Sequence, residues 1–492
     1  MLSLYPASPT TMNPRHNHSH AFDLFHPHSR EGVSVVTRRN FLKASLAGMG
    51  ALSVPALLQQ RALATERGKS ISSHKSVILL WMSGGPSQID TWDPKPTRPL
   101  QNRGPFGVIR TKLPGVFVCE HLPKQAAMLD KFTIIRSVDA EKSNHEPNRV
   151  FQTGNLEAEP RLNPIGHLYP GIGSIVSKYH GANQPGMPPY VSFHRSRDHV
   201  AFAGYLGMEY DPFPGNLACN LPIYDNVGKD TGRISRTNLF QAVKGMTSRE
   251  MSQRLTLTQQ LDHLRRDIDA SGAMAAMDRY QQQAVELVLG GKARTAFSLT
   301  DEPAKNRERY GMHLWCQQAL IARRLVQAGV AFVTIDLNYH PASGTWDTHG
   351  DNIPPYGGIS KGLKPLLPLF DHLITTLVSD LQEHDLLNDV LVIAMGEFGR
   401  TPQMGTQDST DGRNHWPNIM SMCLAGGGLR HGQVIGESEQ DGGAIKSNPV
   451  TPSDLAATIY RHMEVPLDTT YLDTIGRPRA IVDAGKPIAE LF

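Results

Sequence analysis

Six short apolar runs, rich in strand-forming residues, recur along this chain and limit its fold more than any other feature. They are Ser76–Met82 (SVILLWM), Phe132–Val138 (FTIIRSV), Tyr190–Phe193 (YVSF), Val330–Leu337 (VAFVTIDL), Val390–Gly396 (VLVIAMG) and Ile419–Gly426 (IMSMCLAG). Runs this continuous mark strands covered on both faces, as in a parallel sheet. Helical patterns lead into two of them, LWCQQALIARRLVQAG before the fourth and LLPLFDHLITTLVSDLQEHDLLND before the fifth. Alternating helix and strand predicts a three-layer α/β/α domain around a mostly parallel central sheet. Residues 247–290 break the pattern: they are polar, Gln-rich and poor in strand formers, and predict a helical insertion.

The first 64 residues belong to something else. TRRNFLKASLAGMGALSVPALLQQRALA places Arg38-Arg39 before a moderately apolar stretch, Ala44 to Leu58, and a small-x-small sequence, Ala62-Leu63-Ala64. This predicts a twin-arginine export signal at the end of a leader spanning residues 1–64, with the folded domain at 65–492. The apolar stretch is shorter than the roughly 20 residues a membrane-spanning helix needs, so no stable span is expected. The expected location is periplasmic or secreted, with the twin-arginine translocase as a partner during export.

Charge then excludes one class of partner. The chain carries 49 Lys/Arg and 46 Asp/Glu. Residues 1–64 hold six of the basic and two of the acidic groups, which leaves 43 against 44 in the remainder. A near-neutral body gives no reason to expect nucleic acid, whose phosphates call for a basic surface. The four cysteines, Cys119, Cys219, Cys316 and Cys423, are far apart and form no CxxC pair, so they are expected to be buried free thiols.

In open α/β sheets ligands gather beyond the carboxyl ends of the strands. Metal-capable residues cluster there in the sequence. Asp90 and Asp93 follow the first run, and Asp139 and His145 the second. Asp336, His340, Asp347 and His349 follow the fourth, and Glu397 and Arg400 the fifth. Asp411, Arg413 and His415 come just before the sixth. A Glu at the end of an apolar strand is costly unless it is paired, and Arg400 three residues on from Glu397 offers a partner. The expected metal ligands are Asp90, Asp347, His349, Glu397 and His415. Such oxygen and nitrogen donors suit zinc, manganese, magnesium or calcium. Arg400 and Arg413 are expected to meet a substrate's anionic oxygens, and His145 to act as a ligand or a general acid–base group.

Several of these segments resemble known families. Leu366 to Gly399 resembles the alkaline phosphatase-like superfamily, which includes the sulfatases. There a helix carrying an Asp, here Asp371, leads to a strand ending in SDHG. Glu397 holds the place of that metal-binding Asp, and Phe398 replaces its His. GRNHWPNIMSMCLAGGG resembles the segment with the superfamily's last ligand His, which would be His415. HEPNRVFQTG is similar to the sulfatase signature at Pro147, Arg149, Thr153 and Gly154. However, His145, or Asn144 in a shifted register, stands where a nucleophile would be, and no C/S-x-P-x-R occurs. A formylglycine sulfatase is therefore not expected.

GGPSQIDTWDPKP, TWDTHGDN, GEFGRTP, GRNHWP and PVTPSDLAATIY, together with the leader, are similar to the exported bacterial family of domain of unknown function 1501. These resemblances imply an alkaline phosphatase-like fold and an exported metal-dependent hydrolase of phosphate or sulfate esters on a small molecule or glycan. The departures from the superfamily pattern leave a second expectation, a non-catalytic cell-envelope binding protein that keeps the fold.

Overall fold

A computed structural model describes residues 74–140, 149–159, 161–194, 199–225, 229–236, 291–338, 346–350, 357–406 and 408–492. The leader, His145, His340, Asp351 and the expected insertion at 247–290 lie outside the described residues.

The central sheet has eight strands: β1 (Ser76–Trp81), β2 (Phe132–Val138), β3 (Tyr190–Phe193), β4 (Phe213–Pro214), β5 (Phe332–Asp336), β6 (Val390–Met395), β7 (Met420–Gly426) and β8 (Gln433–Ile435). Their spatial order is β8-β2-β7-β6-β1-β5-β3-β4. All six apolar runs form strands, and the short edge strands β4 and β8 complete the sheet. Neighbours pair in parallel from β6 through β1, β5 and β3 to β4, and β8 is parallel to β2. The exception is β7, antiparallel to both β6 and β2. The expectation of a mostly parallel sheet holds, with one reversed strand.

Strand geometry sends alternate side chains to opposite faces, and β1 is buried on both. Ile78 and Leu80 join one core with helices α2 (Leu314–Ala328) and α3 (Lys364–Glu383). Val77, Leu79 and Trp81 join a second core with helices α1 (Ile172–Tyr179) and α4 (Pro452–His462). Helices thus cover both faces of the sheet. Local signals fix the helix ends. Gly329, in the left-handed region, stops α2. Thr451 and Asp454 make a reciprocal capping box at the start of α4. Among the described residues no helix is long and apolar enough to cross a membrane. All four cysteines are free and buried, as expected, and burial raises the Cys119 and Cys316 thiols to about 12.

Asp371 on α3 has a local task. Its carboxylate accepts the backbone N–H groups of Lys124 (2.8 Å) and Gln125 (2.7 Å), at the start of the short helix Pro123–Ala127.

Candidate metal centre

The reversal of β7 builds the site. A parallel sheet collects its strand exits along one edge. Because β7 runs the other way, its entrance falls on that same edge, and His415 lies in the segment feeding it. A two-residue ribbon then holds His415 in place: Gly399–Arg400 pairs antiparallel with His415–Trp416, with Arg400 opposite His415. Trp346 anchors the other contributing loop. It is fully buried, stacks on Trp315 with ring centroids 6.1 Å apart, and meets Phe370 edge-on. Its backbone N–H donates to Ser83 O beyond β1 (2.8 Å). Asp347 and His349 follow directly.

These anchors bring Asp347, His349 and His415 together, with one donor atom from each within 4.8 Å of the other two. His349 Nε2 is 3.6 Å from Asp347 Oδ1 and 2.7 Å from His415 Nε2. Asp347 and His349 are fully buried and His415 is half-buried, so the cluster faces outward on the His415 side. Phe398 packs against the His415 ring at 4.6 Å between centroids.

Two imidazoles and one carboxylate are a donor set that zinc and other borderline dications accept. Spacing is a second test of fit. Tetrahedral ligands at 2.0–2.1 Å from one ion stand about 3.3 Å apart. The two imidazole nitrogens, hydrogen-bonded at 2.7 Å, would have to part by about 0.6 Å to exchange their shared proton for an ion. His415 sits on the open side, where a ring rotation of that size is small. The three residues fit a dication.

The remaining expected residues lie around this cluster. Glu397 Oε1 accepts the Gly84 N–H at 2.8 Å. Arg400 pairs with Asp347 (Nη2–Oδ1, 2.8 Å). Its other donors go to main-chain oxygens: Nε to Gly85 O at 2.9 Å, Nη1 to Arg413 O at 3.2 Å, and Nη2 also to Gly84 O. Arg413 binds Asp90 Oδ2 through Nε at 2.7 Å. It also donates to Thr401 O (2.9 Å), Pro402 O (2.6 Å) and Asn102 O (2.7 Å). Both guanidinium side chains have 0% exposure. They lace loops together from inside the protein and present no face to solvent. Asp90, held by Arg413 and by Ser87 Oγ (2.5 Å), stands outside the three-residue group, as does Glu397. Asp93 is likewise occupied, by Lys95 at 3.0 Å and Arg136 at 3.5 Å.

The loops approach closely enough to need glycine. Gly84 has φ +112°, and a Cβ there would overlap the backbone nitrogen of Asp347. That approach also points the Gly84 N–H at Glu397, a contact no motif in the sequence announces.

A largely parallel α/β sheet with helices on both faces and a buried His/carboxylate cluster at its carboxyl edge defines the class. Residues 74–492 match the model of the family described as "Protein of unknown function (DUF1501)", and the chain belongs to that family. No curated protein matches it. Similar solved structures include the PsFucS1 sulfatase from Pseudoalteromonas sp., at 13% identity and TM-score 0.36, covering 87% of this chain and 72% of that one. The phosphonate monoester hydrolase SpPMH from Silicibacter pomeroyi is 10% identical, with TM-score 0.33 and coverage of 84% and 76%. The lipoteichoic acid synthase LtaP from Listeria monocytogenes is 9% identical, with TM-score 0.32 and coverage of 80% and 73%.

Proposed function

We propose that this protein is an exported, divalent-metal-dependent hydrolase of phosphate or sulfate esters with an alkaline phosphatase-like fold. The observation that supports this reading is the convergence of Asp347, His349 and His415 at the carboxyl edge of the sheet. A dication bound there would polarise an ester oxygen and acidify water at neutral pH. Asp347 and His349 would hold it from the buried side and His415 from the open side. Arg400 is a positioning residue in this reading: it fixes the carboxylate of Asp347 and leaves anion recognition to other groups. Arg413 holds Asp90 and the neighbouring loops in the same way. His145 remains a proposed ligand or acid–base group, and export by the twin-arginine route rests on the leader motif.

A second reading has its own observation. Both arginines expected to meet substrate are buried and bound to backbone carbonyls. A fold that spends them this way suits a non-catalytic binding protein of the cell envelope that keeps the fold equally well. Elemental analysis of purified protein, followed by assays on aryl phosphate, phosphodiester and aryl sulfate, separates the two. Chelator-sensitive turnover that falls at least about 100-fold in His415→Ala supports the hydrolase, the size following from loss of a metal ligand. Bound metal with no turnover on any of the three substrates supports the binding protein. Protein that takes up no dication sinks the hydrolase.

A further inference from the structure

A second polar cluster lies at the exit of β5. Asp336 ends that strand with 4% exposure, and Asn338, two residues on, is 1% exposed. His199, in the segment after β3, is 9% exposed and meets both. Its Nδ1 lies 2.8 Å from Asp336 Oδ2 and 2.7 Å from Asn338 Nδ2, while Asn338 Nδ2 lies 2.6 Å from Asp336 Oδ1. The surrounding chain holds the group in place. Gln152 donates to His199 O (2.7 Å) and accepts the Ala201 N–H (2.7 Å), and Trp315 Nε1 donates to Asn338 O.

The protons in this cluster do not balance. A neutral imidazole Nδ1 either donates or accepts. As a donor to Asp336, it turns its hydrogen toward the Asn338 amide NH₂. As an acceptor from Asn338, it sets a lone pair against the Asp336 carboxylate. Exchanging the amide oxygen and nitrogen relieves the imidazole. It then places the amide oxygen 2.6 Å from a carboxylate oxygen. With the carboxylate ionised, as a metal ligand would be, every arrangement leaves two atoms of like polarity in contact. Asn338 Oδ1 is also buried with no hydrogen-bond partner, a state that costs about 1–3 kcal/mol.

A cation among the three side chains turns each repulsion into attraction. Carboxylate oxygen, amide oxygen and imidazole nitrogen are ordinary ligands of manganese, zinc and magnesium. We propose that Asp336, Asn338 and His199 form a divalent-cation site, one that shares no residue with the Asp347–His349–His415 centre. Neither His199 nor Asn338 stands out in the sequence. They meet only because β3 and β5 are adjacent and parallel.

The test is a titration of the chelator-stripped full chain with Mn²⁺, reading free ion by electron paramagnetic resonance. Wild type is expected to bind one ion that survives His415→Ala and is lost or weakened by about tenfold or more in His199→Gln, since even an outer-shell change costs that much affinity. Asn338→Asp, which keeps an oxygen at the same place, is expected to retain the ion. Circular dichroism melts confirm that each variant is folded. Binding that is unchanged in folded His199→Gln and Asn338→Ala overturns the proposal. The two centres fail separately: loss of all Mn²⁺ in His415→Ala removes this site and leaves the first, while an ion sensitive only to His199→Gln does the reverse.

Discussion

Two buried Asp–Arg pairs sit at the same sheet edge and do different work. Asp347–Arg400 (2.8 Å) and Asp90–Arg413 (2.7 Å) are alike in length, and all four side chains have 0% exposure. Around Asp90 are Ser87 Oγ and the backbone carbonyls that share Arg413. Around Asp347 are two imidazoles. A buried carboxylate–guanidinium pair is therefore no mark of a reactive site by itself, since one of these is a brace. What separates them is the donor chemistry next to the carboxylate.

Removing the guanidiniums should break the comparison most severely. Arg413→Met leaves Asp90 buried without its counter-charge and should cost about 3–5 kcal/mol in denaturant-unfolding experiments. Metal content of the folded remainder should be unchanged. Arg400→Met should cost a similar amount and also lose the ion, because Asp347 is no longer oriented. Equal metal content in the two variants would erase the distinction between brace and site.

Acid titration supplies a control from the opposite edge. His462 Nε2 lies 3.0 Å from the carbonyl of Ser76, at the start of β1, and burial lowers its pKa from 6.5 to about 4. The unfolded chain therefore binds a proton that the folded one refuses between those values. Stability is full above about pH 6.5 and should fall on acidification toward pH 4, by about 3 kcal/mol. Burial lowers His313 to about 4 as well, so urea melts at stepped pH should keep the full slope in Asp90→Asn and lose about half of it in His462→Gln.

Neutralising one carboxylate gives a smaller effect. Asp90→Asn keeps most of the shape and should cost about 1–3 kcal/mol by thermal melting, with no change in bound metal. Asp347→Asn should lower metal affinity by about tenfold or more in the same titration. His415→Ala should be the mildest for folding, about 1 kcal/mol or less because the ring is half-buried. Elemental analysis should nevertheless show the ion gone. A His415→Ala protein that keeps its metal would remove His415 from the site.

The sequence by itself determined the strands, because a run apolar on both faces has nowhere to lie except inside a sheet. It also determined which loops carry acids and imidazoles, and its five expected ligands include Asp347, His349 and His415. Pairing across the fold was beyond it. Glu397 with Arg400 three residues on is the local guess, yet Arg400 binds Asp347 and Glu397 takes the Gly84 N–H. Asp90 reads as a ligand in the sequence, and only the fold shows Arg413, 323 positions away, holding its Oδ2. Only the tertiary structure decided that β7 runs backward and so delivers His415 to the common edge. Strand direction leaves no trace in a doubly buried run, because burial asks only that each side chain be apolar. Hydrogen bonding and charge, in contrast, act through whichever atoms the fold has already brought within 3 Å.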